Sequence, residues 1–179
     1  MKKDLILIAL KDEAPDMAFS MNVFYTGVGK VNAAMTAAEL IAKYKPDRVI
    51  NFGTAGGVTV KSGFHQVTKF VQRDMMCCEL GSQPGQTPFE DTIVIDNGNG
   101  LTCSTGDNFV TDTYNINADL VDMEAFAIAK ACVSAGVEFI CHKYISDMAN
   151  DEAPDHFIDH VHKGEDHYIA ILKEYGVEL

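Results

Sequence analysis

Six consecutive apolar residues, Leu5-Ile6-Leu7-Ile8-Ala9-Leu10, leave this chain no polar face near its start. A half-exposed strand or an amphipathic helix would interrupt such a run at its own period, so the segment reads as a strand covered on both faces. Arg48-Val49-Ile50-Asn51-Phe52 and the stretch from Glu138 to Ile145 repeat the pattern. Between them Val31, Ala34, Met35, Ala38 and Ile41 recur at helical spacing and stop before Pro46. Ala125, Ile128, Ala129 and Cys132 mark the buried face of a second helix, which Gly136 ends. Asn22 to Thr26 is a short strand, and Gln66 to Val71 and Thr92 to Asp96 are two more around a turn-rich loop from Gly81 to Pro88. Phe157 to Tyr175 forms a closing helix. Strands alternating with helices predict a single domain over residues 1–179, a three-layer α/β/α sandwich around a central mixed, mostly parallel, twisted sheet. With 179 residues, 47% of them hydrophobic, one sizeable core can close and little is left for a second.

Charge narrows the partners. A formal net charge of -12 argues against nucleic acid, whose phosphates need many cations. Only two arginines are present, Arg48 and Arg73, and arginine is the side chain that forks best onto phosphate or carboxylate. An uncharged small molecule fits this inventory better. The five cysteines, Cys77, Cys78, Cys103, Cys132 and Cys141, are odd in number and lack a C-x-x-C pair, which indicates reduced thiols and a cytoplasmic protein. Met1-Lys2-Lys3-Asp4 has the basic start of a leader, but the apolar run after it is short, and Lys11-Asp12-Glu13 stands where a cleavage site would need small residues. No apolar run approaches the roughly 20 residues of a membrane-spanning helix, so no membrane is expected as a partner.

Polar side chains gather at three points, each beyond a strand: Glu13, Thr54 to Gly57, and Glu124 with Asp147. Ligands of α/β proteins usually bind at such strand ends. The glycine-rich turn Gly53-Thr54-Ala55-Gly56-Gly57 would let backbone N–H groups approach a ligand. Glu124 falls in the first turns of an otherwise apolar helix, where an unpaired charge is costly and needs a reason. Glu13 could be a first-turn acid favoured by a helix dipole, and Asp147 a capping residue before Met148. Gly27 and Gly29 do not open a nucleotide loop, because position 32 is Asn32 and Lys30 is not followed by Ser or Thr. His156 and His160 are four apart between Asp155 and Asp159 and could hold zinc, but a solvated polar face is the commoner meaning. Cys77-Cys78 has no metal-ligand spacing. Neither metal nor cofactor is expected.

Several separated segments, taken in order, resemble the 5'-methylthioadenosine/S-adenosylhomocysteine nucleosidases of the nucleoside phosphorylase superfamily. The likeness runs from Leu5 to about Phe157. A first strand ending in an acidic cluster is similar to Ala9-Leu10-Lys11-Asp12-Glu13, and a Gly-x-Gly-Lys entry to a helix to Gly27-Val28-Gly29-Lys30. The family's glycine-rich turn resembles Asn51 to Gly57, and the segment that brings an aromatic ring onto the purine resembles Ser104 to Phe109. Val121-Asp122-Met123-Glu124-Ala125 and Ile145-Ser146-Asp147 complete the set.

The resemblance implies hydrolysis of a purine–ribose bond, which builds positive charge on the sugar and negative charge on the base. An acid must protonate the purine near N7, so it must keep its proton near neutral pH, a condition that burial supplies; the resemblance assigns this to Asp147. Glu13 would orient the water, and Glu124 would bind the ribose hydroxyls while stabilising the cation-like sugar. Met123 would pack on the sugar, Phe109 would stack on the base, and Thr54 would bond near the water or Asp147. Ala55, Gly56, Val121, Asp122, Ser146 and Phe157 are the further substrate contacts that it implies, in a homodimer. Lys143 stands where these nucleosidases usually have arginine, and the segment from Glu13 to Gly27 is shorter than theirs. Two alternatives stay open: a phosphorylase, which would need cations to hold phosphate, and a nucleoside-binding protein without catalysis.

Overall fold

A computed structural model describes residues 3–177; Met1 and Lys2 of the basic start lie outside the described residues. The chain runs β1 (Asp4–Ile8), β2 (Val23–Tyr25), α1 (Lys30–Tyr44), β3 (Arg48–Gly57), β4 (Phe64–Gln72), β5 (Ile95–Asp96), β6 (Leu101–Thr105), β7 (Leu120–Asp122), α2 (Ala125–Ala135), β8 (Glu138–Asp147), α3 (Ala153–His160) and α4 (Glu165–Glu174). α1 ends where Lys45 turns left-handed with its N–H on the Ile41 carbonyl, just ahead of Pro46. β1, whose sequence has no polar face, is buried on both sides. Leu5 and Leu7 pack with Ala33, Ala37 and Leu40 of α1 and with α2, while Ile6 and Ile8 pack with Phe52 of β3 and with Tyr168 and Leu172 of α4. Helices therefore cover both faces of one sheet, giving the three layers expected.

β1 pairs in parallel with β2 and β3, β3 with β8, β4 with β6, and β6 with β7; β3–β7, β4–β5 and β4–β8 are antiparallel. The sheet is mixed and mostly parallel, but it is not open. β1 accompanies β3 only as far as Asn51, and at Gly56 and Gly57 β7 takes over that edge. The path β3–β8–β4–β6–β7 then returns to β3. The closure brings the ends of β3, β7 and β8 together and directs them at one place.

Several elements differ from the sequence reading. Gly53–Gly57 is strand, not turn, because β8 runs beside β3 along that whole stretch and supplies its hydrogen-bond partners. β6 and β7 are strands that the pattern did not reveal, one behind Gly98-Asn99-Gly100 and the other only three residues long. The strand expected over Thr92–Asp96 shrinks to Ile95–Asp96. Glu124 is the residue that caps α2 rather than one inside its first turn. The single closing helix is two, α3 and α4, which pass close to β8 at Gly164, where a Cβ would lie 2.9 Å from that of Tyr144. Among the described residues no helix is long and apolar enough to cross a membrane. All five cysteines are free thiols.

Candidate active site

The strand ends surround a cavity of about 280 Å³ whose wall includes all twelve residues singled out in the sequence. β1 leads into a short 3-10 turn, Lys11–Glu13, which swings Glu13 back across the end of β3. Its carboxylate is buried and fully oriented. Oε2 accepts the Leu10 N–H at 2.9 Å, and Oε1 accepts both the Thr54 N–H at 2.7 Å and the Thr54 hydroxyl at 2.8 Å. Thr54 thus bonds Glu13, not Asp147. Backbone donors on a buried carboxylate replace the water that it loses and hold it in one rotamer.

β8 delivers Ser146 and Asp147 from the other side. The Ser146 hydroxyl donates to Asp147 Oδ2 at 2.7 Å, and the Ala149 N–H donates to Oδ1 at 2.9 Å, so the capping bond and a place in the cavity wall coexist. Gly56 makes room for this carboxyl: a Cβ there would stand 2.9 Å from Asp147 Oδ1.

β7 and the start of α2 carry Asp122, Met123 and Glu124. Glu124 Oε1 accepts the Gly29 N–H at 2.8 Å, which ties the Gly27-Val28-Gly29 segment to the cavity. Burial pushes the Glu124 carboxyl up to about 7, and the neighbouring Asp122 charge adds to the rise against Lys143 and the Gly29 N–H. Asp122 has its carboxylate already engaged. Oδ2 lies 2.9 Å from Lys143 Nζ and 2.8 Å from the Ala125 N–H, while Oδ1 accepts the Thr105 hydroxyl at 2.6 Å. Burial works against both charges of the pair, yet Lys143 holds the Asp122 carboxyl below its usual value, and Asp122 keeps the Lys143 ammonium well above its own. Phe109 meets Phe157 edge to face at 5.9 Å and stays 43% exposed at the rim of the cavity.

Sequence reasoning missed Arg73, Asn108, Val110, Val28, Ala9 and Leu10, which also line the cavity. Arg73 had a signal in the scarcity of arginine, but nothing in the pattern placed it here. Its Nη1 donates to the carbonyls of Ser104 at 2.6 Å and Asp122 at 2.8 Å, and its Nη2 to those of Gly106 at 3.0 Å and Asn108 at 2.6 Å. The other arginine, Arg48, forks onto Asp4 at the opposite end of the sheet. The cavity wall therefore carries four carboxylates, Glu13, Asp122, Glu124 and Asp147, and its one cation spends its terminal N–H groups on backbone. With Asp122 paired to Lys143, Glu13 and the ionised form of Glu124 are the carboxylates left to face a positive charge that develops in the cavity. His160 is not on a solvated face: its Nδ1 lies 2.8 Å from the Ser146 carbonyl and its ring stacks with His156. No group of three or more metal-ligating side chains occurs among the described residues.

The model of the phosphorylase superfamily matches residues 20–76 and 98–175. A 5'-methylthioadenosine/S-adenosylhomocysteine nucleosidase of Exiguobacterium sp. is 34% identical over 162 residues, 73% of this chain and 69% of that protein. One from Bacillus cereus is 31% identical over 169 residues, 75% of this chain and 72% of the relative. Among solved structures, a variant of the Helicobacter pylori 5'-methylthioadenosine/S-adenosylhomocysteine nucleosidase, with 5'-methylthioadenosine in its active site, superposes with a TM-score of 0.84 at 21% identity over 97% of both chains. Futalosine hydrolase of the same organism gives 0.81 at 20% identity over 92% of each. At those identities the likeness concerns the fold.

Proposed function

The chain belongs to the phosphorylase superfamily and to its 5'-methylthioadenosine/S-adenosylhomocysteine nucleosidases, and from that premise we propose the following reaction. It hydrolyses the N-glycosidic bond of adenine nucleosides of the 5'-methylthioadenosine and S-adenosylhomocysteine type to adenine and the ribose derivative. Asp147 gives a proton to the base as the bond breaks, so that adenine leaves neutral. Glu124 accepts hydrogen bonds from the ribose hydroxyls and, with Glu13, faces the positive charge that grows on the sugar. Glu13, fixed by three donors from Leu10 and Thr54, has about one acceptor position left, on Oε2, to orient a water at the anomeric carbon. Phe109 lies against the base, and Met123 against the sugar.

One observation carries the choice of water over phosphate: four carboxylates line the cavity, and Arg73 has its terminal N–H groups on carbonyls. Among the described residues of the cavity wall, a phosphate would meet no cation with terminal N–H groups to spare. The reading includes a homodimer, supported by apolar Val28 at the rim and by Val31 and Met35, each 68% exposed, on α1 beside it. It also includes a cytosolic setting, which the exposed free thiol of Cys78 favours. The test is product analysis with 5'-methylthioadenosine, with and without phosphate. Equal adenine release and a free reducing sugar are expected; a ribose 1-phosphate derivative would overturn hydrolysis, and binding without release would overturn catalysis.

A further inference from the structure

Arg73 and Asp74 stand at the exit of β4 and hold, between them, four backbone groups from the end of β6 into the loop that follows it. The guanidinium takes the carbonyls of Ser104, Gly106 and Asn108, and reaches across to that of Asp122 on β7. Asp74 Oδ2 accepts the N–H of Asp107 at 2.8 Å, so the loop is gripped on alternate residues from two sides. The other Asp74 oxygen pairs with the Lys30 ammonium, and the Lys30 N–H donates to Asp107 Oδ1 at 2.7 Å. Lys30 follows Gly29, whose own N–H is on Glu124. Gly106 lies flat over the guanidinium: a Cβ there would come 2.8 Å from Arg73 Cγ and 3.0 Å from Nε, which is buried without a hydrogen-bond partner. Partial burial lowers the Arg73 pKa, so its hold on the carbonyls must offset the desolvation.

We propose that Arg73 and Asp74 are positioning residues for the nucleosidase reaction: they fix the 104–108 loop so that the exposed Phe109 ring at the cavity rim meets the base, and they tie that loop to the Asp122–Glu124 segment that meets the sugar. This rests on the functional reading above. Through Asp122, Arg73 links the two halves of the substrate site, so base stacking and ribose binding share one support. A side chain that cannot hold the fork, such as Lys in place of Arg73, keeps the charge and loses the geometry.

The test uses Arg73→Lys, Asp74→Asn and Phe109→Ala in the full chain, with two readouts. Hydrogen exchange of residues 104–110 in the ligand-free protein should speed up in Arg73→Lys and Asp74→Asn while the amides of β1 and β3 stay protected. KM for 5'-methylthioadenosine should rise about tenfold in either variant, the size of one lost charge-assisted hydrogen bond, with kcat falling less. Combined with Phe109→Ala, the Arg73→Lys loss should be smaller than alone, because part of the effect of Arg73 passes through that ring and the rest through Asp122. Unchanged exchange in the loop, an unchanged KM, or fully additive losses would each overturn the proposal. A wild-type protein that releases no adenine would sink the functional reading instead, and adenine affinity would replace KM in the same comparison.

Discussion

Glu13 and Lys143 approach each other across Gly53, where a Cβ would stand 3.2 Å from both Glu13 Oε1 and Lys143 Nζ. The buried ammonium thus bonds one carboxylate, Asp122, and lies within the field of a second that is poised for chemistry. A guanidinium at this position would spread its charge over a fork; ammonium concentrates it at one point.

Removing either member of the Lys143–Asp122 pair leaves the other buried and uncompensated. Lys143→Met and Asp122→Asn should each lower stability by about 3 kcal/mol or more in urea unfolding. The double variant should be more stable than the sum of the two losses, since the coupled charges leave together.

Glu124 titrates near 7, above the usual glutamate value of 4.5. Its folded form holds the proton more tightly than the unfolded chain, so its contribution to stability is complete below about 4.5 and is lost as pH rises to about 7. The loss is on the order of 3 kcal/mol, and Glu124→Gln should remove that slope from pH-dependent unfolding curves. Activity should move the other way. The carboxylate accepts the ribose hydroxyls, so kcat/KM should climb as pH passes about 7, and a profile flat across that region would contradict the assignment.

Asp147→Asn retains an oxygen for the Ala149 N–H, and the Ser146 hydroxyl can turn to accept from the new amide, so the strand end should keep its shape. Turnover should fall about a hundredfold to ten-thousandfold, as for a lost general acid, while calorimetry still detects adenine binding. Wild-type turnover in this variant would remove Asp147 from the mechanism.

Gly56→Ala places a methyl group 2.9 Å from Asp147 Oδ1 and 3.1 Å from both Ala149 Cβ and Val121 Cγ2. Stability should drop by about 1–3 kcal/mol from overpacking, and turnover by more than about tenfold because the acid is pushed aside. A variant with normal turnover would show that Asp147 tolerates displacement.

Much of this fold was legible because burial leaves a compositional trace. β1 and the first half of β3 are apolar on both faces, and both are central strands. Glu13 stood out after an apolar strand and Glu124 as a charge on an apolar helix, while Asp147 rested on the family resemblance; all three line one cavity. Gly53–Gly57 misled because glycine carries no pattern of its own; only the neighbouring β8 makes that stretch a strand. Arg73 was out of reach for a related reason: its partners are main-chain oxygens scattered from Ser104 to Asp122, and a carbonyl has no letter in the sequence. β7 hid because three residues are too few to show a period.

The carboxylate-lined wall has a consequence for what the protein must ignore. Nucleotides share adenine and ribose with the proposed substrates and differ chiefly in the phosphate charge at the 5' position. Bringing that charge toward Glu13, and toward Glu124 once it has lost its proton above about pH 7, costs free energy before any contact is made, and more so at low ionic strength. The acidity that favours a cationic sugar would also act as a filter, sparing adenine nucleotides from cleavage without any side chain dedicated to their exclusion.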